Sequence, residues 1–590
     1  MPVTSTQASS RFIPIALAVL ALALYLPGIW WGAPHGTAPD RVHSWGVDDM
    51  TPLGALAEMH NIIEPKENRN LGYPLMHPFM ATGAMAPYLG YMMVSGDMQG
   101  VAALYPFGMT DPARSLRVLA MICHLLSALL AVGIVLLAWD TGRTLWDDAT
   151  GILTALFVGL QYPMFYYART GNVDVPMLFF MAMALAIFAR IMMEGFSTRY
   201  AIWLGIAVGF ALATKEQALA TLIAIPLVLL PMHWARVRRG EVPTQAAPLV
   251  HAQSVVPIGM RAGRSAAAYW RAPVLSVVVA FVAFGLGSGL FVDPERFFAH
   301  LEFASGRIND LSEGNVAFFG SYPNTLAGHV GLTMDMLKHV AEAITYPGVL
   351  LAAIGFVWTL RRHPKAAWFG LGALTYVIVL FLTARAVQLR YMMPVTYVAC
   401  PFAGAAAVYA WRSARPLVRY AFAVVTVGVL GVCLLRGIDL THGMIHDSRY
   451  AAAAWLAERT EEGDRIDYFG ASQKLPPMEY GVVTELANEY EGAVYEPDVD
   501  LEARQRIRDR WAAQRPDFIV IMPDHSSPEG VEHAHSCPEP IFQDLLAGSL
   551  GYRLAARFET PRLLPWLVRP PLDYPTVNPP IRIFELVGNE

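Results

Sequence analysis

Two neighbouring carboxylates, Asp48 and Asp49, lie in the segment SWGVDDMTPL, which follows a strongly apolar run at residues 12–31. A carboxylate can act as a general base that takes a proton from a hydroxyl while the hydroxyl forms a new bond. The same pair could cap a helix that begins near Thr51, because aspartate before an apolar run is a common N-cap. The pair alone therefore leaves a catalytic and a structural interpretation open.

Three basic residues far apart in the chain could complement this acidic pair. Arg169 lies in YYARTGNVDVP, Lys215 separates two apolar runs, and Arg390 opens RYMMP. Arginine offers phosphate oxygens a bidentate fork and lysine offers a point charge. Such a set suits a phosphate or diphosphate beside a carboxylate base. Alternatively, the two arginines could extend their charged ends to a membrane interface.

The composition indicates which elements position these residues. Of the 590 residues, 55% are hydrophobic and only 15% are charged, the mean hydropathy is +0.39, and soluble domains carry roughly 25% charged residues. A bilayer core about 30 Å thick needs roughly 20 apolar residues per spanning helix. We predict about eleven spans, at residues 12–31, 115–139, 150–167, 175–193, 201–214, 217–232, 272–292, 343–360, 366–384, 391–411 and 418–437. The predicted fold is a polytopic α-helical membrane protein.

The distribution of positive charge predicts an orientation. With the N-terminus in the cytoplasm, the basic segments RVRR and RRHPK face inward, as the positive-inside rule requires. Residues 233–271 then form a cytoplasmic linker, and Asp48 lies outside. Residues 78–106 are broken by Gly and Pro, and we predict short helices on the outer surface there. The predicted location is the bacterial cytoplasmic (inner) membrane.

The Lys215–Glu216 pair interrupts one long apolar stretch, residues 201–232. A single helix over this stretch would be on the order of 48 Å long, which exceeds a bilayer core of about 30 Å. A hairpin whose first arm is about 21 Å long would place its tip inside the outer leaflet. Charges at that depth need a partner or a cavity, and an anionic lipid headgroup would be one.

The chain divides into two predicted domains. The membrane domain covers residues 1–440, with a first outer loop at 32–114 and another at 293–342. From 441 to 590, helical patterns alternate with strand-like runs such as RIDYFG, DFIVIMP, YRLAARFE and PIRIFELV. Helices alternating with strands favour a small α/β domain. An odd number of spans before it would place this domain outside the cytoplasm.

Several short motifs, in this order, resemble the GT-C superfamily of polyprenyl-phosphate-dependent glycosyltransferases. The similarity is to the family 39 type, which holds protein O-mannosyltransferases and lipid A aminoarabinose transferases. The motifs are the acidic pair, YPLMHPFMATG, RSLRVLAMICHLLSALL…GRTLWDDATG, YARTGNVDVP, ATKEQ, RYMMP and DSRYAAAAWLAER. They extend over most of residues 12–460. The sequence departs from the family at Asp49, where relatives usually have glutamate.

The resemblance implies roles for individual residues. Asp48 would be the general base and Asp49 a supporting carboxylate or its alternate. Lys215, Arg169 and Arg390 would bind the donor phosphate. The residues expected to line the substrate site are Tyr73, His77, Asp174, Glu216 and Tyr391. The residues alone leave a simple N-cap open for Asp174 and a structural role open for His77.

The implied activity is transfer of a hexosyl or pentosyl group from a polyprenyl-phosphate donor to an acceptor hydroxyl on the outer face, with inversion. The acceptor could be a protein, a lipid or a glycan. No cofactor is required, although a divalent metal stays open because aspartate pairs also bind metals. Membrane lipids are expected partners, and a net charge of -5 argues against nucleic acid.

Two other functions compete with this one, namely a membrane lipid or sugar transporter and a non-catalytic envelope scaffold. Transporters often show internal repeats and polar groups near the bilayer midplane, whereas the charges here gather at one boundary. Glu58 and the HAHSC run at 533–537 are predicted to be solvated, and His300 structural or solvated. The four cysteines show no disulfide or zinc spacing.

Overall fold

The computed structural model describes residues 6–46, 48–49, 52–64, 69–100, 102, 104–239, 267–313, 322–413, 415–469, 475–478, 483–486, 501–522, 537–566 and 577–588. Most of the predicted linker and the two histidines of the HAHSC run lie outside these residues. The chain forms a large helical part followed by a small α/β domain.

The helical part contains eighteen helices among the described residues, and each predicted apolar run coincides with one or two of them. In chain order they are α1 Thr6–Tyr25, α2 Pro52–Ile63, α3 Met76–Ser95, α4 Pro112–Leu145, α5 Asp148–Leu160, α6 Tyr162–Tyr167, α7 Asp174–Glu194, α8 Thr198–Thr214, α9 Ala218–Leu222, α10 Ala224–Arg238, α11 Ala267–Ser288, α12 Pro294–Glu313, α13 Leu326–Ile344, α14 Tyr346–Arg362, α15 Pro364–Ala367, α16 Leu371–Leu382, α17 Met393–Trp411 and α18 Pro416–Ile445. Short 3-10 turns at Pro39–Arg41, Trp368–Gly370 and Leu389–Met392 complete this part.

Within the described ranges, seven helical segments are long and apolar enough to cross a membrane, and the pair α13–α14, bent by 101°, would make eight. Three shorter apolar helices, Phe12–Tyr25, α5 and α8, account for the remaining predicted spans. The prediction of a polytopic helical membrane protein is therefore confirmed.

Small residues bring two of the membrane helices into close contact. Gly205 and Gly209 on α8 face α11, and a Cβ on either would lie 2.6 and 2.5 Å from the backbone oxygens of Ser276 and Ala280. Two small residues four positions apart allow helix backbones to approach in lipid, where van der Waals packing drives association. This contact fixes α8, whose C-terminal end carries Lys215.

A buried ion pair links α12 to α2. Arg296 on α12 donates to Glu58 on α2 at 2.8 Å and to the carbonyl oxygens of Asn70 and Tyr73. Only 4% of Glu58 is exposed, so the prediction that it is solvated is wrong. Glu58 is retained in the interior because its carboxylate meets a guanidinium and the amide of Asn70. Residues 76–95 form one helix, α3, rather than several short ones.

Among its described residues, the C-terminal domain contains a five-stranded mixed sheet and three helices. The strands are β1 Arg465–Phe469, β2 Val483–Leu486, β3 Phe518–Ile521, β4 Tyr552–Phe558 and β5 Ile581–Leu586, in the order β2-β1-β3-β5-β4. Strands β2, β1 and β3 run parallel, whereas β5 is antiparallel to β3 and β4. The helices are α19 Ser448–Ala457, α20 Leu501–Gln514 and α21 Glu539–Leu546.

Apolar clusters lie on both faces of this sheet, so the domain has its own core. The four quoted strand-like runs form β1, β3, β4 and β5, while β2 was not predicted. Helix α18 continues to Ile445 and is followed directly by α19. The last membrane helix therefore connects to the domain without a long linker.

Candidate functional site

Asp48 lies between α1 and α2 and is hydrogen-bonded to residues from two distant parts of the chain. Its backbone has φ 51°, a left-handed conformation that is uncommon for non-glycine residues. Its carboxylate accepts hydrogen bonds from the guanidinium of Arg390 and from the Tyr73 hydroxyl at 3.3 Å. The Asp48 side chain is 37% exposed, whereas that of Arg390 is 8% exposed. A ligand can therefore reach the carboxylate directly.

Lys215 and Asp174 form a second, more deeply buried ion pair in the same place. The Nζ of Lys215 lies 2.6 Å from Oδ1 of Asp174, and their side chains are 9% and 1% exposed. The Nζ atom also lies 5.5 Å and 5.3 Å from the ring centroids of Tyr73 and Tyr391. In the described part of the chain, Oδ2 of Asp174 has no hydrogen-bond partner.

Lys215 and Arg390 both lie at breaks between helices, which places their side chains at the site. The predicted interruption of the apolar stretch at Lys215 is observed, since α8 ends at Thr214 and α9 begins at Ala218. Arg390 lies on the 3-10 turn that precedes α17, with its Nε bonded to the Gln388 side chain at 3.0 Å. Both cations therefore project from helix junctions.

The charges around Asp48 determine its protonation. Burial alone raises the pKa of the Asp48 carboxyl, but the Arg390 guanidinium, Lys215 and the Tyr73 hydroxyl together hold the pKa below its usual value. Burial and the carboxylates of Asp48 and Asp174 raise the pKa of Tyr73. The site at neutral pH therefore contains an ionised Asp48 and a neutral tyrosine that donates to it.

Asp49 has a different environment from its neighbour. Its side chain is 1% exposed and accepts from His124 at 3.2 Å and from the Gly171 amide at 2.7 Å. A backbone bridge pairs Asp49 with Asn172. A Cβ on Gly46 would lie 2.9 Å from this carboxylate, so only glycine fits beside it. Asp49 thus ties the segment between α1 and α2 to the turn before α7, and Asp48 faces the accessible side.

The carboxylates for which an N-cap role was open, those of Asp48, Asp49 and Asp174, bond to other partners instead. The carboxylates of Asp48 and Asp49 bond to residues far from α2 in sequence. At the start of α7, the side chain of Asn172 accepts from the Asp174 amide at 2.7 Å, which leaves the Asp174 carboxylate for Lys215.

Arg169 does not join the cluster. Its Nε donates to the carbonyl oxygen of Pro27 at 2.7 Å, and its other nitrogens donate to the carbonyl oxygens of Leu24 and Phe165. The residue is fully buried. Because its three nitrogens donate to backbone oxygens at the end of α1 and on α6, Arg169 orders that connection.

The other residues predicted to line the site, among them His77, Glu216 and Tyr391, have different environments. His77 is buried, and burial lowers the pKa of its imidazole to about 4 while Asp49 and Asp174 act in the opposite direction. Glu216 is half-exposed and pairs with His300 on α12 rather than with Lys215. The carbonyl oxygen of Tyr391 accepts from the Tyr376 hydroxyl. Only Tyr73 and Tyr391 contact the charged groups directly.

Sequence reasoning did not identify His124, which bonds to Asp49 and to the carbonyl oxygen of Ile29. The available signal was a histidine inside the apolar run RSLRVLAMICHLLSALL, since ionisable groups in membrane segments are costly and usually paired. Within the described residues, no three His, Cys, Asp or Glu side chains come together as metal ligands. Positive charge at the site comes from Arg390 and Lys215.

Residues 115–257 match a family model described as dolichyl-phosphate-mannose-protein mannosyltransferase. The matched segment includes α4 to α10 and therefore Asp174 and Lys215. It covers less than half of the chain. The match supports the resemblance to protein O-mannosyltransferases that the motifs predicted.

Solved structures show distant likeness over much of the chain. The ArnT protein of Cupriavidus metallidurans, solved bound to undecaprenyl phosphate, is 14% identical, with 98% of each chain covered and a TM-score of 0.45. The oligosaccharyltransferase of Archaeoglobus fulgidus in its apo form is 10% identical, with 88% of this chain and 70% of that chain covered and a TM-score of 0.47. Similarity at this level assigns no substrate. No curated protein sequence matches the chain.

Proposed function

We propose that the protein transfers a hexosyl or pentosyl group from a polyprenyl-phosphate donor to an acceptor hydroxyl at the outer face of the bacterial cytoplasmic membrane. One observation carries the proposal: the partly exposed Asp48 carboxylate is bonded to buried Arg390, with Lys215 beside it. The family match at residues 115–257 supports the same chemistry. Mannose is the first sugar to test, because the family's description names it.

The donor phosphate would compete with Asp48 for Arg390. A phosphate oxygen approaching the guanidinium can form a bidentate pair, while Lys215 contributes charge from the side of Tyr73 and Tyr391. Both cations are largely removed from water, which strengthens their attraction for an anion. The developing charge on the leaving phosphate would be stabilised by the same groups.

Displacement of Asp48 from Arg390 would prepare it as the base. Loss of the guanidinium contact removes one of the interactions that lower its pKa, so the carboxylate gains affinity for a proton. The acceptor oxygen attacks the anomeric carbon while the bond from that carbon to the phosphate oxygen breaks. The acceptor proton passes to Asp48, and polyprenyl phosphate leaves. A single displacement of this kind inverts the anomeric centre.

The mechanism routes no step through a metal ion. Arg390 and Lys215 supply the positive charge that a divalent ion would supply. The assay therefore includes chelator and divalent-metal arms. The predicted orientation, with a cytoplasmic N-terminus and the α/β domain outside, is part of the proposal, because Asp48 must face the side on which the acceptor is found.

Turnover with purified protein tests the proposal. Full-length protein in lipid nanodiscs is offered a panel of polyprenyl-phosphate sugars with peptide, lipid and glycan acceptors, and released polyprenyl phosphate is measured. We expect one donor to be consumed and Asp48→Asn to lower kcat by about 10²- to 10⁴-fold, the contribution typical of a general base. Asp97→Asn is the matched control, since Asp97 is an outer-loop carboxylate bonded to Ser95.

Three outcomes would contradict the proposal. Undiminished turnover in Asp48→Asn would show that Asp48 is not the general base. Absence of turnover with every donor would indicate the scaffold function. Flux of intact labelled donor across proteoliposomes without release of polyprenyl phosphate would indicate the transporter instead. Retention of activity in Asp97→Asn shows that loss of an outer-loop charge by itself is tolerated.

A further inference from the structure

A buried charged cluster joins the C-terminal domain to the loop that carries Asp48. The Arg449 guanidinium forms a bidentate pair with Asp447, with contacts of 2.8 and 2.7 Å. Asp447 also accepts from Trp31 at 2.9 Å and from the Asn578 amide at 2.8 Å. Arg449 and Asp447 are fully buried. The Asp447 carboxylate thus binds Trp31, which precedes α2, as well as residues of the C-terminal domain.

Trp45 lies directly against this cluster. The Arg449 guanidinium carbon is 3.7 Å from the centroid of the Trp45 ring, and the same ring contacts Trp31 and Tyr450. The Trp45 amide donates to the carbonyl oxygen of Gly32 at 3.0 Å. Stacking of a desolvated guanidinium on an indole is favourable and has a defined geometry. Both the backbone and the ring of Trp45 are therefore fixed.

Asp48 is only three residues from Trp45, and Trp45 and Asp49, which flank it in the sequence, are both anchored. On one side Trp45 is held by Arg449, and on the other side Asp49 is held by His124 and Gly171. Between these anchors Asp48 has the left-handed φ of 51°. Residues in such conformations persist only when the surrounding structure enforces them.

A second contact reinforces the connection. Arg41 in the same outer loop donates to the carbonyl oxygen of Met478 and to the hydroxyl of Thr484, both in the C-terminal domain. Thr37 donates to the same Met478 oxygen at 3.0 Å. The first outer loop therefore rests on the domain at two separate places, one of which adjoins Asp48.

We propose that Arg449 and Trp45 are positioning residues through which the C-terminal domain holds Asp48 in its catalytic orientation. The C-terminal domain would then form a structural part of the active site. This inference rests on the proposed function for its kinetic consequence. Its structural consequence, an ordered backbone at residues 44–46 and 48–49, does not depend on any reaction.

The test compares two Arg–Trp stacks in the same molecule. Trp45→Phe removes the indole but leaves the Arg449–Asp447 pair in place, so the protein should fold, and Arg449→Lys keeps the charge but loses the planar stack. Trp455→Phe is the matched control, because Arg459 lies 4.4 Å from the Trp455 ring inside the domain and away from the loop. The readouts are kcat, KM for the donor, binding of undecaprenyl phosphate, hydrogen exchange and Tm.

We expect Trp45→Phe and Arg449→Lys to lower kcat by about 10- to 100-fold, since a misplacement of about 1 Å can cost that much. KM and phosphate binding should be unchanged, because Arg390 and Lys215 stay in place. Hydrogen exchange in residues 44–49 should become faster, with β1, β3 and β5 unaffected. Trp455→Phe should change none of these.

Several results would overturn the inference. One is unchanged kcat in Trp45→Phe when the wild type is active. Another is a parallel fall of kcat, phosphate binding and Tm, which would indicate a general structural role. Absence of turnover in the wild type would refute the proposed function instead, and unchanged exchange at residues 44–49 would still refute the positioning role separately.

Discussion

Two arginine–aspartate pairs contact the segment between α1 and α2, and they differ in how completely their hydrogen-bonding groups are satisfied. In the pair of Asp48 and Arg390, the carboxylate is 37% exposed. In the pair of Asp447 and Arg449, both residues are fully buried, and the carboxylate has further donors from Trp31 and Asn578. The carboxylate of the first pair is accessible, whereas that of the second pair is buried.

We interpret the pair of Asp48 and Arg390 as part of the proposed binding site, and the pair of Asp447 and Arg449 as a structural contact. A fully hydrogen-bonded buried pair is costly to disturb, and removing one partner leaves an uncompensated charge. A partly exposed pair can exchange its partner for an incoming anion. The same contrast distinguishes Lys215, whose partner Asp174 has one unbonded oxygen, from Arg169, whose nitrogens all donate to backbone oxygens.

The largest expected effect comes from exchanging the carboxylate in each pair. Asp48→Asn should lower kcat by about 10²- to 10⁴-fold with Tm nearly unchanged. Asp447→Asn should lower stability by about 3–5 kcal/mol, because Arg449 would be left buried without its counter-charge. Thermal denaturation and turnover measured on both variants check the contrast. Equal Tm losses would show that the two pairs do not differ as described.

The buried pair of Lys215 and Asp174 should show coupling. Lys215→Met alone leaves a carboxylate that is 1% exposed without a cation and should destabilise the protein by about 3 kcal/mol or more. Lys215→Met combined with Asp174→Leu should recover most of that loss, while donor turnover stays impaired. Denaturation of the two single variants and the double variant measures the coupling, and strictly additive losses would argue against the pair.

A smaller effect is expected in the pH dependence of kcat/KM. Because the pKa of Asp48 is lowered in the folded protein, the carboxylate stays ionised as pH falls, and activity should decline only below the usual aspartate range near about 3.9. Arg390→Gln removes the main lowering interaction and should move the acid limb to higher pH. A pH–rate profile of both proteins checks this. An acid limb that stays in place would exclude Asp48 as its source.

The sequence predicted much of the fold because the relevant signals are local. Apolar runs predicted the membrane helices, and the charges at Lys215 predicted the break between α8 and α9. Helical patterns alternating with strand-like runs predicted four strands of the C-terminal sheet. Strand β2, only four residues long, shows no such pattern. The convergence of Asp48, Lys215 and Arg390 followed from the topology, since outer loops meet at one membrane boundary.

The errors share a different physical origin. Arg169 and Glu58 were assigned from their type and position, but their environments depend on partners far away in sequence, Pro27 for the first and Arg296 for the second. Similarly, nothing in the sequence near Asp447 indicates that its carboxylate meets Trp31. Burial of a charge depends on such long-range pairing, which local patterns do not encode.

Binding of undecaprenyl phosphate at equilibrium tests the central claim most directly, because it requires neither the sugar nor the acceptor to be known. If phosphate replaces Asp48 at Arg390, Asp48→Asn should bind it at least as tightly as the wild type. Arg390→Gln should bind it about tenfold more weakly or worse, since a charge-assisted hydrogen bond contributes roughly 1.5–3 kcal/mol. Equal affinity in the wild type and Arg390→Gln would contradict the account.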